Sequence, residues 1–213
     1  MAQDASRPDF WETRYRDRVT PWDAGGAPER FVDWARGLPR GRRVLVPGCG
    51  SAHEVRVLAE GGAHVLAIDF STAAVALARE RLGSLAHRVV EADFFHFDAG
   101  EGFDAVYERA FLCALPRHLW PAYGQRMAEV LQPGGQLSGY FFFDHNTRGP
   151  PFGTSEQTLY TLLGSAFSLE RDEAVAGSLP MFEGKERWQQ WRRRDTDAAR
   201  PSGPATLHGM SRR

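Results

Sequence analysis

The sequence has little of what builds metal or disulfide sites. Only two cysteines occur in 213 residues, Cys49 and Cys113, with neither a CxxC pair nor zinc-type spacing. The seven histidines are scattered and never approach HExxH, so nothing in the pattern supports a metal centre. No apolar run approaches the roughly 18–20 residues needed to span a bilayer, and residues 1–18 are too polar and charged for a secretory signal. Charge of one sign is missing as well: the formal net charge is −1, which argues against a broad surface for nucleic acid. The one basic run, Arg192-Arg193-Arg194, reads as a solvated edge. No nucleophile elbow or Cys–His arrangement is present, so no protein nucleophile is expected. These absences predict a reduced, soluble, cytoplasmic protein that binds neither nucleic acid nor membrane, as a monomer or weak homo-oligomer.

What is present alternates. Short β-like runs and helix-like segments, separated by Gly and Pro, predict one α/β domain with a doubly wound, mostly parallel sheet and helices on both faces. Runs at 42–46, 64–68, 87–91, 103–107 and 136–143 predict five strands, and 167–173 with 186–193 an antiparallel hairpin that completes a seven-stranded sheet. Helices are expected over 52–60, 71–82 (Ser71 as N-cap, Gly83 as stop), 116–131 and 155–164. Residues 144–153 form a Gly/Pro-rich loop, too polar to bury and therefore a candidate lid. The domain is expected to span 1–194, with 195–213 a disordered tail rich in Ala, Arg, Pro, Gly and Ser.

Three features fall at successive strand ends. Gly48-Cys49-Gly50 follows the first strand and precedes a helix, where glycines let the backbone turn tightly and approach a ligand. Asp69 ends the second strand, 21 residues after Gly48, placed to accept hydrogen bonds from both ribose hydroxyls of a nucleoside. Asp93 follows the third, placed to accept from an adenine amino group. Each acid alone reads as a turn residue; three such features on one sheet edge read as a nucleoside site. A dinucleotide site would carry a small third residue in GxGxxG, where this chain has His53. S-adenosyl-L-methionine has no diphosphate and needs only the first two glycines, so a methyltransferase is favoured over a nicotinamide-linked oxidoreductase.

The residues Val44-Leu45-Val46-Pro47-Gly48-Cys49-Gly50 with Asp69 resemble class I methyltransferases of the thiopurine S-methyltransferase family. Further segments are similar to its halide/thiol methyltransferase branch: Phe10-Trp11-Glu12, Thr20-Pro21-Trp22-Asp23, Phe111-Leu112-Cys113-Ala114-Leu115, Pro133-Gly134-Gly135 and Gly149-Pro150-Pro151-Phe152. The resemblance runs from Phe10 to about Arg192. It implies methyl transfer from S-adenosylmethionine, leaving S-adenosyl-L-homocysteine, to a small-molecule acceptor that is a thiol or a halide- or thiocyanate-like anion. Thiopurines and tellurium or selenium compounds stay open as acceptors, because Tyr107-Glu108-Arg109 carries the arginine of the thiopurine branch where plant halide/thiol enzymes carry tyrosine. It also implies an N-terminal segment, 1–35, that folds over the cofactor through Trp11, Tyr15 and Trp22. Cofactor contacts are further expected from Gly48, Cys49, Gly50, Asp69, Phe70, Asp93, Phe94, Glu108 and Arg109, with Arg109 also the catalytic candidate.

Such a transfer is an in-line displacement in which an anionic nucleophile meets a cationic sulfonium, favoured in a dry site. Aromatic faces at Trp11, Tyr15, Trp22 and Phe94 would exclude water and attract the sulfonium by roughly 0.5–2 kcal/mol. Arg109 would steer an anionic acceptor or favour a thiolate, or else pair with Glu108 or another carboxylate and do no chemistry. Gly149-Pro150-Pro151-Phe152 superficially resembles the (N/D)PP(Y/F) box of DNA amino-methyltransferases, but that box stands directly after the fourth strand, where this chain has Glu108-Arg109. A non-catalytic S-adenosylmethionine-binding protein is the remaining alternative of another class.

Overall fold

A strand buried on both faces must be apolar at successive positions, and Val44-Leu45-Val46 is such a run, each residue at most 4% exposed. In the computed structural model, which describes residues 4–195, this run forms β1 (Arg43–Pro47) inside a seven-stranded sheet. β2 (His64–Asp69) and β3 (Val89–Glu91) extend the sheet on one side, and β4 (Phe103–Arg109) and β5 (Leu131–Phe142) on the other, all parallel. Two last strands, β6 (Phe167–Ala174) and β7 (Glu186–Arg193), pair antiparallel, and β7 runs antiparallel to β5. The order β3-β2-β1-β4-β5-β7-β6 reverses direction between β1 and β4, which opens a crevice at the carboxyl ends of those strands. The doubly wound sheet expected from the sequence is the one the chain adopts.

One face of the sheet is covered by α2 (Glu29–Arg36), α3 (His53–Glu60) and α4 (Thr72–Leu82), with α1 (Pro8–Arg16) beside α4. The other carries α5 (Trp120–Val130) and α6 (Glu156–Leu163). The caps follow local chemistry. Ser71 Oγ accepts from Ala74 N and Ser155 Oγ from Thr158 N, both at 3.2 Å, and Gly83 ends α4 at φ +59°.

Several expected boundaries move. The helix expected over 116–131 is a 3₁₀ turn, Arg117–Leu119, followed by α5, because Pro121 starts a helix well but cannot continue one. Leu131 and the Pro133-Gly134-Gly135 turn belong to β5, where Leu131 pairs with Phe103 across an irregular register. His87 and Arg88 lie in the 3₁₀ turn Gly83–Arg88, so β3 is shorter than the 87–91 run. The 1–35 segment also divides. Phe31 and Trp34 of α2 are core residues, Phe31 tilted against Tyr107 and Trp34 edge-on to Trp188 at centroid distances of 4.3 and 6.2 Å. Only the stretch before α2 is left to cover anything. Of the expected 195–213 tail, residues 196–213 lie outside the described residues.

Side chains alternate along β4, so Tyr107 and Arg109 share one face and Glu108 takes the other. Glu108 Oε2 accepts from Phe111 N (3.0 Å) and Leu112 N (3.4 Å), fastening the turn after β4, while Oε1 is buried without a partner among the described residues. Burial pushes its carboxyl up to about 8. On that same side of the sheet, α5 and α6 meet closely at Gly124, where an added Cβ would strike the Leu162 carbonyl.

Two stability measurements follow. Gly124→Ala should lower the melting temperature by about 2–10 °C, the cost of overpacking by ~1–3 kcal/mol in a domain of this size, whereas Gly26→Ala, with open space at its Cβ, should leave it unchanged. A carboxyl whose folded pKa is raised stabilises the fold below its ordinary value of 4.5, and that stability is lost as pH rises through about 8. Urea unfolding should therefore show Glu108→Gln gaining on the wild type between pH 5 and pH 9; parallel curves would refute the buried protonated carboxyl.

Candidate functional site

The turn after β1 is built to let something approach. Gly48 (φ +58°) and Gly50 (φ +49°) take left-handed conformations, and a Cβ would hit the Phe111 ring at the first and the Tyr15 hydroxyl at the second. Asp69, at the end of β2, ties this turn to the start of α4: Oδ2 accepts from Gly50 N at 3.0 Å and Oδ1 from Ser71 N at 2.9 Å. Each oxygen keeps a second acceptor position. Burial, only partly offset by these bonds, pushes the Asp69 carboxyl up to about 6. Asp93 accepts from Phe95 N (3.0 Å) and lies 2.6 Å from His96 Nδ1, so it shapes its own turn while lining the crevice.

Residues 8–23 close over this edge. Trp22 packs edge-on against Trp11 and Tyr15, with centroids 5.4 and 6.1 Å away, and its Nε1 donates to Tyr15 Oη at 3.4 Å. Burial raises the Tyr15 hydroxyl well above the ordinary tyrosine range, so it stays protonated. Two acids fasten the segment. Glu12 Oε2 accepts from Ser71 Oγ and Ala73 N, both at 2.8 Å, capping α4 from outside, and Oε1 pairs with Arg16 at 2.7 Å. Asp23 accepts from Ser51 Oγ and from Gly25 N (2.8 Å) and lies 2.7 Å from His53 Nε2. His53 leads these contacts in holding the Asp23 carboxyl far below the usual carboxylate range. His53, a misfit as the third residue of a dinucleotide loop, is the anchor for this cover, and Arg81 lies on it in turn at 2.6 Å.

Between cover and sheet edge lies a cavity of about 880 Å³, within the range that holds a drug-sized ligand. Of the residues expected to contact a cofactor, Trp11, Tyr15, Trp22, Gly48, Cys49, Gly50, Asp69, Phe70, Asp93, Phe94 and Arg109 all line it. Glu108 does not, for the strand alternation turns it to the opposite face. Toward β2 and β3 the wall carries Asp69, Phe70, Asp93 and Phe94. Toward β5 and β7 it becomes an apolar chamber, where Cys113 and Phe182 pack with Trp22 and Met181. Between them, Glu54 and Arg109 line the wall beside β1 and β4, the Arg109 guanidinium 5.3 Å from the Tyr140 ring centre. Of the alternatives read for Arg109, an ion pair with Glu108 is not made. Burial drives both cysteine thiols up, which leaves Cys49 and Cys113 as packing residues.

The 144–153 loop is less free than its polarity suggests. Pro150 and Pro151 line the cavity, Phe152 N donates to Cys113 O at 2.7 Å, and Lys185 pairs with Asp144 at 2.5 Å. Sequence reasoning missed Glu12, Asp23, Glu54, Met181 and Phe182. Asp23 belongs to the Thr20-Pro21-Trp22-Asp23 segment singled out above, but nothing local ties it to a histidine 30 residues away.

A nucleoside ligand suits this wall. The glycine turn is a cradle that a Cβ would fill, and Asp69 presents buried acceptors beside it. Comparison with known proteins agrees. The family model for thiopurine S-methyltransferase matches residues 6–194. Thiocyanate methyltransferase 1 of Arabidopsis thaliana is 33% identical over 195 residues, covering 86% of this chain and 84% of that one. Probable thiol methyltransferase 2 of the same plant is 31% identical over 191 residues, 84% of each chain. Among solved structures, the 1,6-didemethyltoxoflavin-N1-methyltransferase of Burkholderia thailandensis, with bound S-adenosylhomocysteine, shares the fold at a TM-score of 0.70 and 20% identity, over 88% of this chain and 87% of that one. The chain belongs to the thiopurine S-methyltransferase family and is an S-adenosylmethionine-dependent methyltransferase.

Proposed function

We propose that this enzyme methylates sulfur in a small molecule, a thiol or a thiocyanate-like anion. The observation that carries the reading is one continuous cavity that joins a nucleoside-type wall to an apolar chamber under an aromatic cover. When bound, S-adenosylmethionine supplies a methyl group on a sulfonium, open to in-line displacement by a soft nucleophile.

The chain's own residues would position and dry that reaction. Asp69 accepts from the ribose hydroxyls and Asp93 from the adenine amino group, with Phe70 and Phe94 against the base. Trp11, Tyr15 and Trp22 exclude water and offer ring faces to the cation. Cys113, Met181, Phe182 and the prolines at 150 and 151 surround the acceptor with polarisable, apolar groups that suit sulfur. Arg109 brings positive charge to the wall between the two ends and holds an anionic group there. No side chain acts as nucleophile: the thiols at 49 and 113 are held protonated by burial, and holding donor and acceptor in line supplies the acceleration.

Calorimetric titration with S-adenosylhomocysteine, followed by a turnover screen with hydrosulfide, thiocyanate, iodide, aryl thiols and a thiopurine, tests this reading; binding without turnover of any sulfur acceptor would sink it. Two further outcomes are expected. Ribose hydroxyls donate best to an ionised Asp69, so affinity for S-adenosylhomocysteine should rise with pH through about 6 and level off above it, and Asp69→Asn should bind weakly at every pH. Asp23→Asn should loosen the cover and weaken the same affinity by about tenfold, the scale of one charge-assisted hydrogen bond. The variant's melting temperature should change little; a large drop would make Asp23 part of the folding core instead.

A further inference from the structure

A second pocket, of about 290 Å³, lies at the opposite edge of the sheet from the cavity under the cover. The starts of four parallel strands meet there: Arg43 opens β1, His64 opens β2, Phe103 opens β4, and Arg88 stands directly before β3. Arg88 is the residue that asks for a ligand. It is half-buried, its Nε is shut off from solvent, and it makes no side-chain hydrogen bond or ion pair with another of the described residues. A guanidinium keeps its charge throughout the pH range of a folded protein, so what Arg88 lacks is an acceptor.

The rest of the wall adds donors. Arg43 is held over the Phe103 ring, 5.6 Å from its centre, and its Nη1 pairs with the exposed Glu101 at 3.1 Å. Its Nη2 faces Gly100 on the pocket wall, 3.9 Å from where a Cβ would stand. His64 has no side-chain partner among the described residues and brings one ring N–H in either tautomer. Asp98 is the single carboxylate among the lining residues, and its Oδ1 is taken by Gly100 N at 2.8 Å. Two guanidiniums thus stand against one carboxylate, around a space several times the ~30 Å³ share of one water.

We propose that this pocket binds a small tetrahedral oxyanion, free or as the phosphoryl group of a small metabolite, with Arg88 and Arg43 as its charged partners and His64 as a further donor. Guanidinium forks match the paired oxygens of such an anion. The bound anion would supply the acceptor that Arg88 lacks and tie the approach to β3 to the starts of β1 and β2. Those two strands carry the chain from this pocket to Gly48 and Asp69, so the two sites stand about 15–20 Å apart and do not compete.

Phosphorus NMR of inorganic phosphate, at neutral pH and low ionic strength where exposed charges are least screened, tests the site. The wild type should broaden the phosphate line, sulfate should reverse the broadening, and saturating S-adenosylhomocysteine should leave it unchanged. Arg88→Gln should weaken phosphate by about 10- to 100-fold, the range for hydrogen bonds to a charged group. Its melting temperature should hold, because the side chain it alters has no protein partner to lose. Arg43→Gln, a second variant, should weaken phosphate in the same direction. Glycerol 3-phosphate that competes less well than inorganic phosphate identifies the free oxyanion; stronger competition identifies a phosphoryl-bearing metabolite. A wild type that leaves the line sharp overturns the proposal, as does broadening that both variants retain in full. Displacement of phosphate by S-adenosylhomocysteine also overturns it, since that result places the anion in the other cavity.

Discussion

Two backbone N–H groups from different loops, those of Gly50 and Ser71, converge on the one carboxylate of Asp69. The site's shape depends on that convergence. It fixes the glycine turn after β1 against the start of α4, and so sets where the Gly48 and Gly50 backbones face the cavity. Both donors would otherwise be orphaned at the end of a buried sheet, where each would cost about 1–3 kcal/mol. The same acid that organises the loops is left with acceptor capacity toward the ligand. Its raised pKa is the trace of burial, which the bonds from Gly50 and Ser71 offset only in part.

Around this centre the molecule separates its tasks by distance from the sheet. The sheet and its two faces of helices supply a packed floor, with Phe31, Tyr107, Trp34 and Trp188 clustered in its core. The cover is held by polar contacts at two points, Glu12 on α4 and Asp23 on Ser51 and His53. Within the cover itself, Trp11 and Trp22 pack edge-on. Shutting water out of a reaction while letting product go calls for a packed floor and a separately fastened cover.

Much of the fold was legible because strands buried on both faces carry uninterrupted apolar runs, as Val44-Leu45-Val46 does. The nucleoside wall was legible for a related reason: in a parallel sheet the chain reaches the same edge after every strand, so Gly48, Asp69 and Asp93 could be placed together without a structure. What failed was set by contacts between distant segments. Nothing near Asp23 announces His53, and Glu54 looks like any charged residue opening a helix until β4 brings Arg109 to the same wall. Glu108 was misplaced because a strand end was treated as a point, whereas alternation sends its neighbours Tyr107 and Arg109 one way and Glu108 the other. The helix expected from Pro116 fell to the second proline, Pro121, and α2 went unrecognised because the first 35 residues were read as a single covering segment.

Glu12 gives the cover a thermodynamic tie to the body of the enzyme. Its carboxylate satisfies Ala73 N and the Ser71 hydroxyl in the first turn of α4, groups that water must take over when residues 8–23 lift away. Lifting the cover therefore frays the start of a core helix, and the two become a single cooperative opening unit. Ligand that holds the cover shut would slow amide exchange at Ala73 without touching it. Any opening of the cover is thus graded by the strength of a helix cap, a quantity that can be tuned by residues outside the cavity.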